Sequence, residues 1–380
     1  MKIEDYRIKI DEIDSQLIDL LKERLSVAAE IAEYKRENGL PVLDRARERQ
    51  LLNKVAEKAG EDYENEAKIF FSSMMGISRA YQSKLLGVKS SYAEKIDAAI
   101  NSTEKVFPEN ASVACQGVEG AYSQQACEKL FPNPSIMFTN TWEGVFQAVN
   151  SGLCHYGILP LENSNAGSVN RIYDLLAKYN FSIVRSTRIH VNHALLVKKG
   201  TKFEDVKEIF SHEQAIKQCS EFLSKLKNVK VTVCENTAMA AKMVAESERR
   251  DIAAISSKLC AELYSLDVAD EAIQNVGNNY TRFICISKEL EIYPGANRTS
   301  LMVVTPHKPG ALYNVLSQFN CHGINVIKLE SRPLPGKDFE FMFYFDIDVS
   351  VYSPKFQVLL GQLEGEAEKF QYLGSYIEVI

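Results

Sequence analysis

No stretch of this 380-residue chain is apolar for the length of a membrane helix, and its first residues begin a charged amphipathic helix rather than a signal peptide, so a cytoplasmic location is expected. The eight cysteines are scattered without one C-x-x-C pair. That argues against a disulfide framework and against a zinc site, and they read as reduced thiols filling the core. No Gly-x-Gly-x-x-Gly turn follows a strand, which weighs against a nicotinamide enzyme; neither cofactor nor metal is expected. Positive charge is not in excess, and a net charge of −6 argues against a nucleic-acid surface. What is there is an ordinary balance for a soluble protein, 46% hydrophobic and 25% charged, in a length that usually holds two or three domains.

From Arg7 to Leu85 there is neither histidine nor cysteine, so that segment offers no activated nucleophile. It offers cations in unusual places. Steps of seven through Arg7, Asp14, Leu21, Ala28 and Lys35, interleaved with Ile10, Leu17, Arg24 and Ile31, make an unbroken seam on one long helix. Arg7, Arg24 and Lys35 then point inward, where an unpaired cation costs several kcal/mol and calls for an anionic partner. Two kinds satisfy it: carboxylates such as Asp14 and Glu48 in an ordinary coiled-coil interface, or a bound anion. At a rise of about 1.5 Å per residue, Arg24 and Lys35 lie roughly 16 Å apart and can close on one small dianion, whereas Arg7 is roughly 25 Å from Arg24. An antiparallel second chain removes that difficulty. The spacing therefore predicts a homodimer whose N-terminal helices cross, Arg7 of one subunit completing a site on the other.

Asn38-Gly39 and Pro41 break the helix, and Asp44 is a good N-cap for a second one carrying Arg47 and Glu48. A third, from about Tyr63 to Leu85, has Phe70, Phe71, Met74, Ile77, Tyr81 and Leu85 as its apolar face, with Ser78 and Gln82 one turn apart beside it. This pattern resembles the all-helical chorismate mutase family from about Arg7 to Gln82. The family's ligand positions fall on Arg7, Arg24, Lys35, Asp44, Arg47, Glu48, Ser78 and Gln82, each of the residue type the family uses. The resemblance implies that Arg24 and the other subunit's Arg7 bind the carboxylates of chorismate, while Lys35 and Gln82 face its ether oxygen. Glu48 would hold the ring hydroxyl, with Asp44, Arg47 and Ser78 supporting substrate binding. The rearrangement of chorismate to prephenate is unimolecular and pericyclic, so holding the compact conformer and stabilising charge on the ether oxygen are what a protein can contribute.

Between Gly87 and Ser112 the pattern fades into a polar stretch, a first boundary. Short apolar runs then alternate with helical ones: strands are expected at Ser112 to Gln116, Ile136 to Thr139, Tyr156 to Pro160, Ser182 to Arg185, His193 to Val197, Val229 to Val233, Ile252 to Ile255 and Arg282 to Ser287. Helices are expected at Gln214 to Leu226 and Ala238 to Ala245. Such α/β texture suggests two lobes around a ligand cleft. Loop ends supply the candidates, each also readable as a turn or cap: Gly120-Ala121-Tyr122-Ser123 before a helix, where Ser123 is an N-cap or an anion contact, then Glu162-Asn163-Ser164, Ser211-His212 with Gln218, and Thr281-Arg282-Phe283. Their joint order resembles prephenate dehydratase over roughly Ser112 to Lys288. Val118 and Glu213 stand where that family commonly has proline, which bears on loop rigidity. The resemblance implies a periplasmic-binding-protein-like fold, with Thr281 the key residue at the departing hydroxyl and Glu162 or a water as proton source. Asn163 is placed in the catalytic set, and Ser123, Ser164, Ser211, Gln218, Arg282 and Phe283 among the substrate contacts; His212 reads equally well as structural. A general acid there is worth about 10²–10⁴ in rate.

After Glu291 a proline, a glycine and Asn297 mark a second boundary. Strand Ser300 to Thr305, helix Gly310 to Asn320, strands Asn325 to Ser331 and Phe339 to Asp348, helix Pro354 to Gly365 and strand Tyr372 to Val379 give a ferredoxin-like βαββαβ order. Pro309-Gly310-Ala311-Leu312 and Glu330-Ser331-Arg332-Pro333 resemble the effector motifs of ACT domains in phenylalanine-responsive dehydratases, which implies L-phenylalanine bound between two subunits. A plain dimerisation module is the alternative. The expected organisation is thus an all-α domain over 1–90, a linker over 91–111, a two-lobed α/β domain over 112–290 and an α+β ACT domain over 297–380. Its expected function is a bifunctional enzyme taking chorismate through prephenate to phenylpyruvate under phenylalanine control, as a homodimer or higher homo-oligomer. The competing readings are a two-lobed amino-acid-sensing binding protein, or the same fold with one catalytic half inactive.

Overall fold

The seam-bearing segment is a single helix, α1 (Ile3–Glu37), with Glu4 and Asp5 in its first turn and Lys35 and Arg36 in its last, as the helix dipole favours. The computed structural model describes residues 2–87, 90–334 and 340–380. After a break at Gly39, whose φ is 63°, Asp44 caps α2 (Arg45–Ala59) by accepting the Arg47 N–H at 2.9 Å, a contact worth about 1 kcal/mol. Helix α3 (Glu64–Leu86) ends at left-handed Gly87 and packs against both α1 and α2. The buried positions include small ones, Ala28 and Ala32 on α1 and Gly76 and Ser78 on α3, which lets helices approach closely.

Residues 3–20 of α1 are all exposed, among them Ile3, Ile10, Ile13 and Leu17. The expectation of three inward cations needs correcting here. Arg24 and Lys35 are half-buried, but Arg7 faces solvent within one chain, because the packed part of α1 begins at Leu21.

The expected polar linker is also corrected, since it contains α4 (Ala93–Ser102). Ala93, Ile96 and Ala99 are buried at steps of three, an apolar face too short to stand out beside Asn101, Ser102 and Thr103.

By its internal contacts the chain forms two units, residues 1–97 with 299–372 and residues 98–298 with 373–380. The second unit begins with β1 (Asn110–Gln116), α5 (Tyr122–Leu130), β2 (Asn133–Thr139), α6 (Trp142–Asn150), β3 (Tyr156–Asn163), β4 (Gly167–Ser168), α7 (Asn170–Tyr179) and β5 (Ser182–His190). It continues with β6 (Ala194–Lys198), β7 (Glu208–His212), α8 (Glu213–Gln218), α9 (Ser220–Ser224), β8 (Lys230–Cys234), α10 (Thr237–Glu246), β9 (Ile252–Ser256), α11 (Lys258–Leu263), β10 (Leu266–Asp270) and β11 (Tyr280–Ser287). One sheet runs β2-β1-β3-β11-β5 and the other β10-β6-β9-β7-β8. The chain leaves the first sheet after β5 and returns to it as β11, so two short crossings separate two lobes. The apolar run expected as one helix over Gln214 to Leu226 is broken at Cys219 into α8 and α9, and β7 and β10 were not anticipated.

Register fixes which side chains meet. Thr281 lies opposite Asn163, and Arg282 opposite Glu162, before a bulge brings Phe283 opposite Pro160. Because a strand alternates faces, Thr281 and Phe283 point one way and Arg282 the other.

The remaining elements are β12 (Arg298–Val304), α12 (Ala311–Cys321), β13 (Asn325–Pro333), β14 (Phe341–Asp348), α13 (Pro354–Glu366) and β15 (Lys369–Val379), in the sheet order β13-β14-β12-β15 of a ferredoxin-like βαββαβ segment. Phe339, expected to open the third of these strands, lies outside the described residues. The end of β15 pairs in parallel with β5, Ile377 opposite Arg185, and Gly374 allows it: at φ 130° a Cβ there would meet the Ile183 carbonyl oxygen at 2.3 Å. No helix among the described residues is long and apolar enough to cross a membrane.

Candidate active sites

In the helical bundle Arg24 meets Ser78, and Lys35 lies near Asp44 and Glu48. Arg24 donates to the hydroxyl of Ser78, and burial lowers the Arg24 pKa. The Lys35 ammonium donates to the Val42 carbonyl at 2.5 Å; burial lowers its pKa, while Asp44 and Glu48 nearby raise it. Gln82 is 8% exposed, and its Oε1 is buried without a hydrogen-bond partner among the described residues. An orphaned buried acceptor is costly unless a ligand or water answers it. Glu48 is held by Arg79, a residue that the sequence did not single out. Arg7 and Arg47 are exposed.

The second unit encloses a cavity of about 420 Å³ between its lobes. Ser123, Asn163, Gln218, Thr281 and Phe283 line it, as does His212. Asn163 is fully committed: its Oδ1 accepts the N–H groups of Asn165 and Ala166 at 3.0 and 2.9 Å, which turns its Nδ2 toward Asn279 Oδ1 at 2.8 Å and Thr281 Oγ1 at 2.9 Å. Asn279 in turn donates to Gln218 Oε1, which also meets Nε2 of His193 at 3.0 Å. That acceptor fixes the proton on Nε2. Burial lowers the His193 pKa, so the imidazole is neutral.

Among the described residues lining the cavity there is no lysine or arginine. Four helices start at its wall: Tyr122 and Ser123 begin α5, Trp142 begins α6, Val169 precedes α7, and Asn236 and Thr237 begin α10, beside Glu235, the one carboxylate among the described lining residues. Four N-termini facing one cavity suit an anionic ligand.

Four expected contacts lie outside this cavity. Ser211 is buried and gives its hydroxyl to the Ile255 carbonyl at 2.8 Å, which secures β7 to β9. Ser164 is exposed and binds its own turn, donating to Asn278 O and accepting from Tyr280 N–H. Glu162 and Arg282 fall on the opposite face of their strands and pair at 3.1 Å. Arg282, 4% exposed, also meets Tyr376 at 2.7 Å and Glu378 at 3.4 Å, so it anchors the end of β15. Ser123 is likewise not an N-cap; Ala121 occupies that position, and the Ser123 hydroxyl donates to Gln116 O at 2.6 Å. Conversely, His193, Asn236 and Thr237 line the cavity without having been named. For Asn236 a signal existed, an asparagine between an expected strand and an expected helix. Among the described residues no group of three or more His, Cys, Asp or Glu is placed to hold a metal ion.

Two family profiles match, chorismate mutase type II over residues 6–83 and prephenate dehydratase over residues 113–291. The bifunctional chorismate mutase/prephenate dehydratase of Escherichia coli K12 is 30% identical over 97% of this chain and 95% of its own length. The chain belongs to the bifunctional chorismate mutase/prephenate dehydratase family. As a member it is an enzyme of phenylalanine biosynthesis with an isomerase activity and a lyase activity. The arogenate dehydratase/prephenate dehydratase 2 of Arabidopsis thaliana is 38% identical over 70% of this chain and 72% of that one. Among solved structures, a prephenate dehydratase from Arthrobacter aurescens in complex with L-Phe superposes with a TM-score of 0.64 at 26% identity, covering 70% of this chain and 89% of that one.

Proposed function

We propose that the bundle converts chorismate to prephenate by charge and confinement, and that the cleft converts prephenate to phenylpyruvate, carbon dioxide and water. In the bundle, Arg24 and Arg7 of a second subunit take the two carboxylates, Lys35 and Gln82 face the ether oxygen, and Glu48 takes the ring hydroxyl; Asp44, Arg47 and Ser78 support them. The uncovered apolar half of α1 supports a homodimer or larger homo-oligomer, since only a further surface covers Ile10, Leu17 and Arg7. We place the enzyme in the cytoplasm.

The observation that carries the dehydratase assignment is the fixed amide of Asn163. Thr281 Oγ1 already accepts from it, so the Thr281 hydrogen is free to donate to a ligand in the cavity. As the C–C bond to the leaving carboxylate breaks, its electron pair aromatises the ring and expels the hydroxyl. Thr281 donates to that oxygen, and water supplies the proton, because the carboxylate of Glu162 is engaged elsewhere. Ser123, Gln218 and Phe283 shape the site, and the helix N-termini hold the carboxylates. Prephenate rather than arogenate is the natural substrate, because the same chain makes it.

The βαββαβ segment is read as an ACT domain binding L-phenylalanine through Pro309, Gly310, Ala311 and Leu312 and through Glu330, Ser331, Arg332 and Pro333. Gly310 supports this, with a φ of 80° and open space where a Cβ would stand. So does the exposure of Ile327 and Leu329 on edge strand β13, a surface suited to a second subunit. Inhibition follows if phenylalanine prefers one conformation of the assembly.

Chorismate supplied as sole substrate to the full-length protein tests the reading. Phenylpyruvate should appear, more slowly with millimolar phenylalanine. Accumulation of prephenate would remove the cleft assignment, and equal rates with and without phenylalanine would remove the effector assignment.

A further inference from the structure

Arg79, next to Ser78 on α3, is none of the positions that the family resemblance names, yet its guanidinium joins two carboxylates. Nη1 donates to Glu48 Oε1 on α2, and Nε donates to Glu366 Oε1 on α13 at 3.0 Å. Glu366 also accepts from Gln318 Nε2 on α12 at 2.9 Å. The side chains of Glu48, Arg79 and Glu366 are 27%, 12% and 14% exposed, so solvent screens these pairs little. Burial pushes the Glu366 carboxyl up, Arg79 works against that, and Glu48 adds to it. One cation thus reconciles two acids that would repel each other without it.

Among the described residues only Oε1 of Glu48 takes a hydrogen bond, which leaves Oε2 for a ligand. We propose that Arg79 is a positioning residue of the mutase reaction, aligning the Glu48 carboxylate on the ring hydroxyl of chorismate, and that Glu366 of the βαββαβ segment keeps Arg79 in place. This rests on the reading of Glu48 as the hydroxyl ligand. Its consequence is that the mutase centre is completed from outside the three-helix bundle. A small cavity of about 60 Å³ is lined by Glu48, Arg79, Lys308, Ala311, Asn314 and Glu366, so the first turn of α12, part of the proposed effector motif, borders the same clamp.

The test compares Glu48→Gln, Arg79→Met, Arg79→Lys and Glu366→Gln in the full-length protein, with dehydratase turnover as the control for folding. Arg79→Met should lower mutase kcat/KM roughly tenfold or more, mostly in kcat, and Arg79→Lys should recover part of the loss. Combined with Glu48→Gln it should add little, since both changes break one pair. Glu366→Gln should cost roughly two- to fivefold in mutase turnover alone. Unchanged mutase turnover in Arg79→Met, with Glu48→Gln impaired, overturns the positioning role, as do effects that multiply in the double variant. Unchanged turnover in Glu48→Gln overturns the reading of Glu48 as well. If Arg79→Met loses both activities, Arg79→Lys and Glu366→Gln decide, and full mutase turnover in both of them ends the proposal.

Discussion

In the bundle, Arg24 and Lys35 stand half-buried on α1, and a third cation, Arg7, lies on a stretch that none of the described residues covers. In the cleft, no lysine or arginine among the described residues lines the cavity, and an amide relay of Asn163, Asn279 and Gln218 is closed by backbone N–H groups and a neutral histidine. The difference suits the two reactions proposed for these sites. A pericyclic shift needs a cage with charge placed along the substrate, and side chains from two chains can form one. Loss of a hydroxyl needs one donor aimed at one oxygen, which a hydrogen-bonded scaffold within a single chain supplies better than mobile cations.

The comparison breaks most readily at Thr281. Thr281→Ala should lower dehydratase turnover by about 10²–10⁴ while mutase turnover stays unchanged, and Thr281→Ser should keep most of the rate. A fall in both activities, followed with chorismate and prephenate in separate assays, would show that the sites are not independent. Next, Lys35→Ala should lower mutase turnover by about 10²–10³ and leave the far-ultraviolet circular dichroism and dehydratase turnover intact. A smaller effect is expected from pH. Burial lowers the Lys35 pKa, so its ammonium is lost at a lower pH than that of a free lysine. Mutase activity should decline on the alkaline side before the usual lysine range, while the cleft, without a lysine in its lining, should not share that decline. Parallel alkaline limbs for the two activities would contradict the assignment.

Most of the architecture was legible because hydrophobic period and turn residues agree over long segments: the single long helix α1, the Asp44 cap and the βαββαβ order all follow from local chemistry. Short elements escaped. The β7 strand Glu208–His212 is five residues flanked by charge, and α4 shows only Ala93, Ile96 and Ala99 as its apolar face. At the candidate sites, motif neighbours were read as acting together, whereas the pleat sends Thr281 and Phe283 into the cavity and Arg282 to the opposite side with Glu378. Removing Arg282 should therefore lower stability by about 1–3 kcal/mol through its lost buried hydrogen bonds, since Glu378 keeps Arg188 and Arg298, and should not remove a substrate contact. His193 and Arg79 were not legible, since each gains its meaning from partners distant in the chain, Gln218 for one and Glu366 for the other.

The claim that one chain carries an incomplete mutase site is tested most directly by mixing two inactive proteins, Arg7→Ala and Lys35→Ala, after unfolding and refolding them together. If Arg7 reaches the partner's site, each mixed dimer regains one intact centre, and random pairing should restore about a quarter of wild-type mutase activity. No recovery in a mixture shown to contain mixed dimers would contradict the account.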